Sequence, residues 1–175
     1  MYHKINNIIV RDWKMDDVPS LVKYADNRKI WQNLRDGFPH PYTVSDAENF
    51  ITRVNSSDPR TAFAIATDSE AIGSIGMLPG VDVHRFTAEM GYWIAEPFWG
   101  KGIMTEAVRL FIEWAFSDFD LHRISAMPYA SNIASHRVLE KAGFLLEGII
   151  RSGAYKDGNI VDMFLYSIIR EPASY

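Results

Sequence analysis

A mixed α/β fold, with one mostly antiparallel central sheet of about seven strands flanked by helices, is predicted for this chain of 175 residues. Seven short runs carry the apolar and β-branched pattern of strands. Several segments repeat their apolar residues at the helical period. Helical segments also interrupt the series of strands, so crossovers must enter an otherwise antiparallel sheet.

Taken in order, Asn7 to Asp12 opens as a strand in which Ile8 and Val10 alternate with their neighbours. Asp16 is expected to cap a helix carrying Val18, Leu21, Val22 and Ala25. A shorter helix lies around Ile30 to Leu34 and ends by Gly37. In Phe38-Pro39-His40-Pro41-Tyr42 each proline steers the residue before it away from helix, so this stretch is a loop. Ser45-x-x-Glu48 reads as a capping box for a helix through Phe50, Ile51 and Val54. Strands follow at Thr61 to Thr67, Ala71 to Leu78 and Thr87 to Ile94, the first two joined by the polar turn Asp68-Ser69-Glu70.

A long helix then places Met104, Val108, Phe111, Ile112, Ala115 and Phe116 on one face. After a strand at Arg123 to Pro128, Asn132 to Ala142 reads as a helix with Ala134, Val138, Leu139 and Ala142 inward, stopped by Gly143. Two last strands, Phe144 to Ile150 and Asn159 to Ile169, flank a turn at Lys156 to Asn159.

The length suits one domain over residues 1–175, with a core from 8 to 169. A composition of 47% hydrophobic and 23% charged residues belongs to neither a disordered nor a membrane chain. No apolar run approaches a membrane span and the N-terminus leads into no signal-peptide core, so a cytoplasmic protein without membrane contact is expected. The absence of cysteine excludes disulfides, thiolate metal sites and thiol nucleophiles. His40 and His84 stand at no metal-ligand spacing, and no metal is expected. A net charge of −4 argues against nucleic acid and leaves room for a basic partner, an amine or a Lys/Arg-rich peptide. Monomer and homodimer both remain open.

The most informative stretch is Trp99-Gly100-Lys101-Gly102-Ile103-Met104-Thr105, between a strand and a helix. Glycines at such a turn allow close backbone approach, and the helix start leaves amide N–H groups unpaired beside a partial positive charge. That combination holds phosphate or pyrophosphate; a plain tight turn is the other reading. A Walker loop is excluded by spacing, and the dinucleotide fingerprint by Thr105, which stands where its third glycine belongs. A second motif follows one crossover later: Asn132-Ile133-Ala134-Ser135-His136-Arg137-Val138-Leu139-Glu140-Lys141-Ala142-Gly143-Phe144.

Together, in this order, the two motifs resemble the GCN5-related N-acetyltransferase (GNAT) superfamily, and within it the RimJ/RimL branch, which acetylates protein N-termini and some small amines. Asn33-Leu34-x-x-Gly37-Phe38-Pro39-His40-Pro41-Tyr42, Ala88-Glu89-Met90-Gly91-Tyr92-Trp93-Ile94 and Gly148-x-x-Arg151 match that branch as well. The resemblance runs from Ile8 to Ile169 and implies acetyl-CoA as co-substrate. It places the pyrophosphate on amides from Gly100, Lys101, Gly102, Ile103, Met104 and Thr105. The pantetheine arm is implied to pair with backbone at Tyr92, Trp93 and Ile94. Asn132 is implied to bond the pantetheine or acetyl region. Arg137 and Lys141, four apart, share a helix face and either meet the adenosine 3′-phosphate or form a solvated face pairing with Glu140.

For chemistry, the superfamily's common acid tyrosine is replaced by Leu139. The RimL branch associates a serine with that role, and Ser135 fits; its other reading is a helix-start serine bonding backbone. The glutamate expected after Gly148-x-x-Arg151 is replaced by Ala154. Glu89 is the first choice of base, with an ion pair as its alternative, ahead of Asp36 and Asp162. Trp31, Arg35, Phe38, His40 and Tyr42 are expected on the acceptor side. Direct transfer in a ternary complex is expected, since no cysteine or serine elbow is present to carry an acyl group. A lysine-type amine costs about 4.6 kcal/mol to deprotonate at pH 7 and an α-amine about 1.4, so a site without an obvious strong base favours an N-terminal α-amine. Small-molecule amines (a polyamine, amino acid or antibiotic) and a silent acetyl-CoA sensor are the competing readings.

Overall fold

The structure, a computed structural model, describes residues 2–5 and 7–170. Eight strands form one sheet: β1 (Tyr2–Ile5), β2 (Ile8–Arg11), β3 (Ala62–Ala66), β4 (Ala71–Pro79), β5 (Thr87–Ile94), β6 (Arg123–Ala126), β7 (Leu145–Lys156) and β8 (Asn159–Ile169). Their spatial order is β1-β2-β3-β4-β5-β6-β8-β7. The seven predicted strands are all present, and β1 adds an edge that the sequence pattern did not announce. Every neighbouring pair is antiparallel except β5 and β6, because a helix crossover joins those two.

Among the described residues five α-helices complete the fold: α1 (Val18–Ala25), α2 (Arg28–Trp31), α3 (Val44–Asn55), α4 (Ile103–Asp118) and α5 (Ile133–Lys141). The two-residue period of β3 sorts them onto two faces. Phe63 and Ile65 face a core closed by Met104, Val108, Phe111 and Ile112 of α4 and Leu139 of α5. Ala64 faces a second core built from Leu21, Ala25, Ile51 and Val54 of α1 and α3 with Trp13 and Tyr42.

Several local expectations shift. Asp16 does not cap α1: a 3₁₀ turn at Met15–Asp17 precedes it, and Asp17 binds Arg11 Nη2 at 2.7 Å and the Lys14 amide at 2.8 Å instead. The capping box of α3 is Thr43 with Asp46, not Ser45 with Glu48. Thr43 Oγ1 accepts from the Asp46 amide at 3.2 Å, and Asp46 accepts from the Thr43 amide at 2.9 Å. An aspartate closes the same reciprocal pair two residues earlier. The helix read at Ile30 to Leu34 is the single turn α2, followed by irregular turns. In α5, Ala134 is exposed and His136 takes the inward position. β7 runs on to Lys156 through an irregularity between Ile150 and Ala154.

Candidate active site

The site is made by a failure of strand pairing. β5 and β6 pair in register only at Thr87–Arg123, Ala88–Ile124 and Glu89–Ser125. Beyond Glu89, β5 stays bound to β4 through Ile94, whereas the chain after β6 follows β8. The Phe164 amide donates to Pro128 O at 3.0 Å and the Ala130 amide to Asp162 O at 2.9 Å. A wedge opens between the two strands, and the β5 edge from Met90 onward has no β6 partner. An extended chain segment can add along such an edge. The Ile94 carbonyl is already engaged by the Trp99 indole at 2.7 Å.

At the end of β5 the glycine turn leads into α4. Gly100 and Gly102 have φ of 72° and 76°, a region that L side chains avoid, and a Cβ on either would meet nothing within 4 Å. Their backbone is therefore open to a ligand. Gly102 is the N-cap of α4 and offers no side-chain cap, so the first-turn amides of Ile103, Met104 and Thr105 face outward without an intrahelical acceptor. This turn borders a cleft of about 860 Å³, whose lining includes Lys101, Thr105, Arg109 and Lys141, with Thr67, Asp68 and Ser69 on the far wall. Arg109 pairs with Glu106 at 2.6 Å and donates to Lys141 O at 2.6 Å. Arg137 is exposed and stands outside this lining. Glu140 binds neither cation by that route: it accepts from the Tyr166 hydroxyl at 3.0 Å.

α5 forms the other wall of the wedge. The Asn132 side chain caps it, accepting from the Ser135 amide at 3.2 Å. The Ser135 hydroxyl meets the hydroxyl of Tyr92 at 2.8 Å rather than backbone, so β5 and α5 are bridged across the wedge. Burial pushes the Tyr92 phenol well above its usual pKa, and it stays protonated. The neighbouring His136 is buried between Phe164 and Tyr166, with Nε2 3.3 Å from Ala130 O. Its Nδ1 has no hydrogen-bond partner.

The residues expected on the acceptor side also converge. Arg35 pairs with Glu89, the last β5 residue in register with β6. Phe38 lies against Trp93 at 5.8 Å and Tyr42 at 4.9 Å, and the Trp31 and His40 rings are 5.7 Å apart. Tyr42 is not on the wall's surface: it is 5% exposed in the second core, where burial pushes its phenol up to about 12, and it supports Phe38 from behind. Asp26 anchors the loop through His40 Nδ1 at 3.2 Å and the Tyr42 amide at 3.0 Å. Of the other carboxylates, Asp162 holds the β7 irregularity through the Ser152 amide at 2.7 Å. Asp36 binds Lys156 at 2.7 Å.

Three side chains here escaped sequence reading. Lys156, almost fully buried, lies 3.7 Å above the Trp31 ring, yet its neighbours Asp157-Gly158 mark it as a turn residue. Arg109 reaches the cleft from α4, three residues after its partner Glu106, in a pattern that reads as a solvated helix face. Tyr92 was placed for its backbone alone, and no local signal reveals that its hydroxyl meets Ser135.

A splayed strand pair beside a glycine-cradled helix start, with Lys101, Arg109 and Lys141 in the lining of the adjoining cleft, suits an acyltransferase that binds a phosphate-bearing acyl carrier. Residues 7–145 match the acetyltransferase (GNAT) domain, and the chain belongs to that family. The probable N-acetyltransferase YjcK of Bacillus subtilis (strain 168) is 40% identical over 122 residues, 67% of this chain and 67% of that protein. The ribosomal-protein-serine acetyltransferase of Escherichia coli (strain K12) is 30% identical over 107 residues, 61% of this chain and 59% of that protein. A solved structure of RimL, a ribosomal L7/L12 α-N-protein acetyltransferase in complex with coenzyme A, shares the fold. Its TM-score is 0.85 over 97% of this chain and 98% of that chain, at 21% identity. The protein is thus an acetyl-CoA-dependent acetyltransferase of the GNAT family. Among the described residues no helix is long and apolar enough to cross a membrane.

Proposed function

We propose that this enzyme acetylates the N-terminal α-amine of a peptide or protein, with Glu89 as proton acceptor and Ser135 as donor to the leaving sulfur. The carrying observation is the position of Glu89: a carboxylate at the mouth of the wedge, paired with Arg35 from the acceptor loop and opposite Ser125. The named activities of the serine acetyltransferase and of RimL, both directed at ribosomal proteins, support a protein acceptor.

Acetyl-CoA fits the residues present, since positive-φ glycines with open Cβ directions, first-turn amides and the cations Lys101, Arg109 and Lys141 suit its phosphates. When bound, it supplies an acetyl thioester. Glu89 removes a proton from the attacking ammonium group, directly or through a water. The neutral nitrogen forms the C–N bond as the C–S bond breaks, the sulfur keeps that electron pair as a thiolate, and the nitrogen's second proton leaves to water. Ser135 donates a hydrogen bond to the thiolate and keeps its proton. Arg35 orients Glu89, while Trp31, Phe38 and His40 wall the acceptor. Arg137 stays on solvent and contributes less to phosphate binding than Arg109 and Lys141.

The test is acetyl transfer to a panel of peptides with free or blocked α-amines, alongside polyamines, amino acids and aminoglycosides, with thiol release and product mass as readouts. Peptides with free α-amines are expected to react and blocked ones to remain unmodified. Glu89→Gln is expected to lower kcat at least about 100-fold, the lower range for a general base. Turnover confined to small amines overturns the peptide reading. An unchanged kcat in Glu89→Gln overturns the choice of base.

A further inference from the structure

Ser135 sits in the first turn of α5, where a serine ordinarily bonds its hydroxyl back to the helix backbone. Here that role is already filled, because Asn132 caps the helix by accepting from the Ser135 amide at 3.2 Å. The serine hydroxyl turns instead to the Tyr92 hydroxyl on β5 at 2.8 Å, and the same phenol lies 3.3 Å from the Ser135 carbonyl. A serine hydroxyl has one hydrogen and two lone pairs, and a phenol has one hydrogen to place. Tyr92 therefore has two acceptors within reach, the serine oxygen and the serine carbonyl. It can leave the Ser135 hydrogen free for an acceptor in the wedge while its own hydrogen stays bonded.

We infer that Tyr92 is a positioning residue whose hydroxyl donates to Ser135 Oγ and thereby aims the serine hydrogen into the wedge between β5 and β6. The inference rests on the reading of Ser135 given above. As the C–S bond breaks and its electron pair passes to sulfur, Ser135 donates to that sulfur while Tyr92 donates to Ser135. Chained hydroxyls strengthen one another in a low-dielectric site. Tyr92 keeps its own proton throughout: desolvation disfavours a phenolate in that place, so it orients and polarises but does not ionise. The arrangement also accounts for Leu139, fully buried in the core where the superfamily's acid tyrosine usually stands. A tyrosine from the opposite wall of the wedge reaches the same region through a serine.

The test compares wild type, Tyr92→Phe, Ser135→Ala and the double variant, each saturated with coenzyme A, by titrating the ultraviolet thiolate band of the bound thiol. A donated hydrogen bond stabilises the thiolate. Tyr92→Phe is therefore expected to raise the bound thiol's pKa by about half to one unit, the size of one ordinary hydrogen bond. Ser135→Ala is expected to raise it further, and the double variant no further than Ser135→Ala. With a free-α-amine peptide, Tyr92→Phe is expected to lower kcat while leaving KM for acetyl-CoA unchanged. Titration curves that coincide for wild type and Tyr92→Phe overturn the inference, as does full additivity of the two substitutions. If the wild type acetylates no peptide yet the thiol shifts appear as described, the acceptor reading fails and the Tyr92–Ser135 pair stands.

Discussion

Removing the carboxylate of Asp36 should destabilise the protein more than removing the ammonium of Lys156, although the two are partners in one ion pair. The Lys156 side chain is 3% exposed and that of Asp36 73% exposed, at 2.7 Å. Asp36→Asn strands a desolvated ammonium above the Trp31 ring. A hydrogen bond to a charged partner contributes about 1.5–3 kcal/mol, of which the asparagine oxygen recovers part, leaving an expected cost of about 1–2 kcal/mol. Lys156→Met leaves a carboxylate that water already reaches and retains an apolar stem on Trp31. The lost cation–π contact is offset by removal of the cost of desolvating the ammonium on folding and by the sulfur–aromatic contact, for a net change within about 1 kcal/mol. Urea unfolding followed by tryptophan fluorescence reads the difference as a lower midpoint at unchanged slope for Asp36→Asn. Asp36 also ties down the segment carrying Arg35, so KM for the acceptor should rise in the same variant. If Lys156→Met proves the more costly change, the stranded-ammonium reasoning is refuted.

Gly102→Ala forces an alanine to φ near 76° and should cost about 1–2 kcal/mol. Differential scanning calorimetry should show a melting temperature lower by about 2–8 °C, and calorimetric titration a weaker affinity for coenzyme A. Glu147 is held down at about 2 by Arg123 and Ser167, so the stability it lends is present above the ordinary carboxylate range and is lost as pH falls toward 2. Glu147→Gln should flatten that acid limb of the stability curve. At the other extreme, burial raises the Tyr42 and Tyr166 phenols to about 12. Since the folded state favours their neutral form, their contribution is full below the ordinary tyrosine pKa and is lost as pH rises toward 12. Tyr42→Phe should shift the alkaline unfolding midpoint upward.

The proposed donor half of this site is local in sequence. Gly100 and Gly102 are adjacent to the helix whose amides they expose, and Asn132 caps the helix that it begins, so spacing along the chain already encodes the geometry. The same locality made the strands legible, because period-two patterning is written residue by residue. Cap choice was less so: Thr43 with Asp46 and Ser45 with Glu48 satisfy nearly the same rule, and the packed position of the helix decides between them.

The proposed acceptor wall and proton path depend on residues far apart in the chain. Arg35 meets Glu89 across 54 positions, Lys156 meets Asp36 across 120, and Tyr92 meets Ser135 across 43. Such meetings follow from sheet order and from the divergence of β5 and β6 after Glu89, which no residue pattern announces. The sequence by itself determined seven of the eight described strands and the glycine turn, since these are carried by neighbouring residues, and the order of its two motifs carried the family resemblance that implied acetyl-CoA. Tertiary structure alone decided that the serine's partner is a tyrosine and that Arg109, not Arg137, joins Lys141 in the cleft, because those relations exist only once distant segments are packed together.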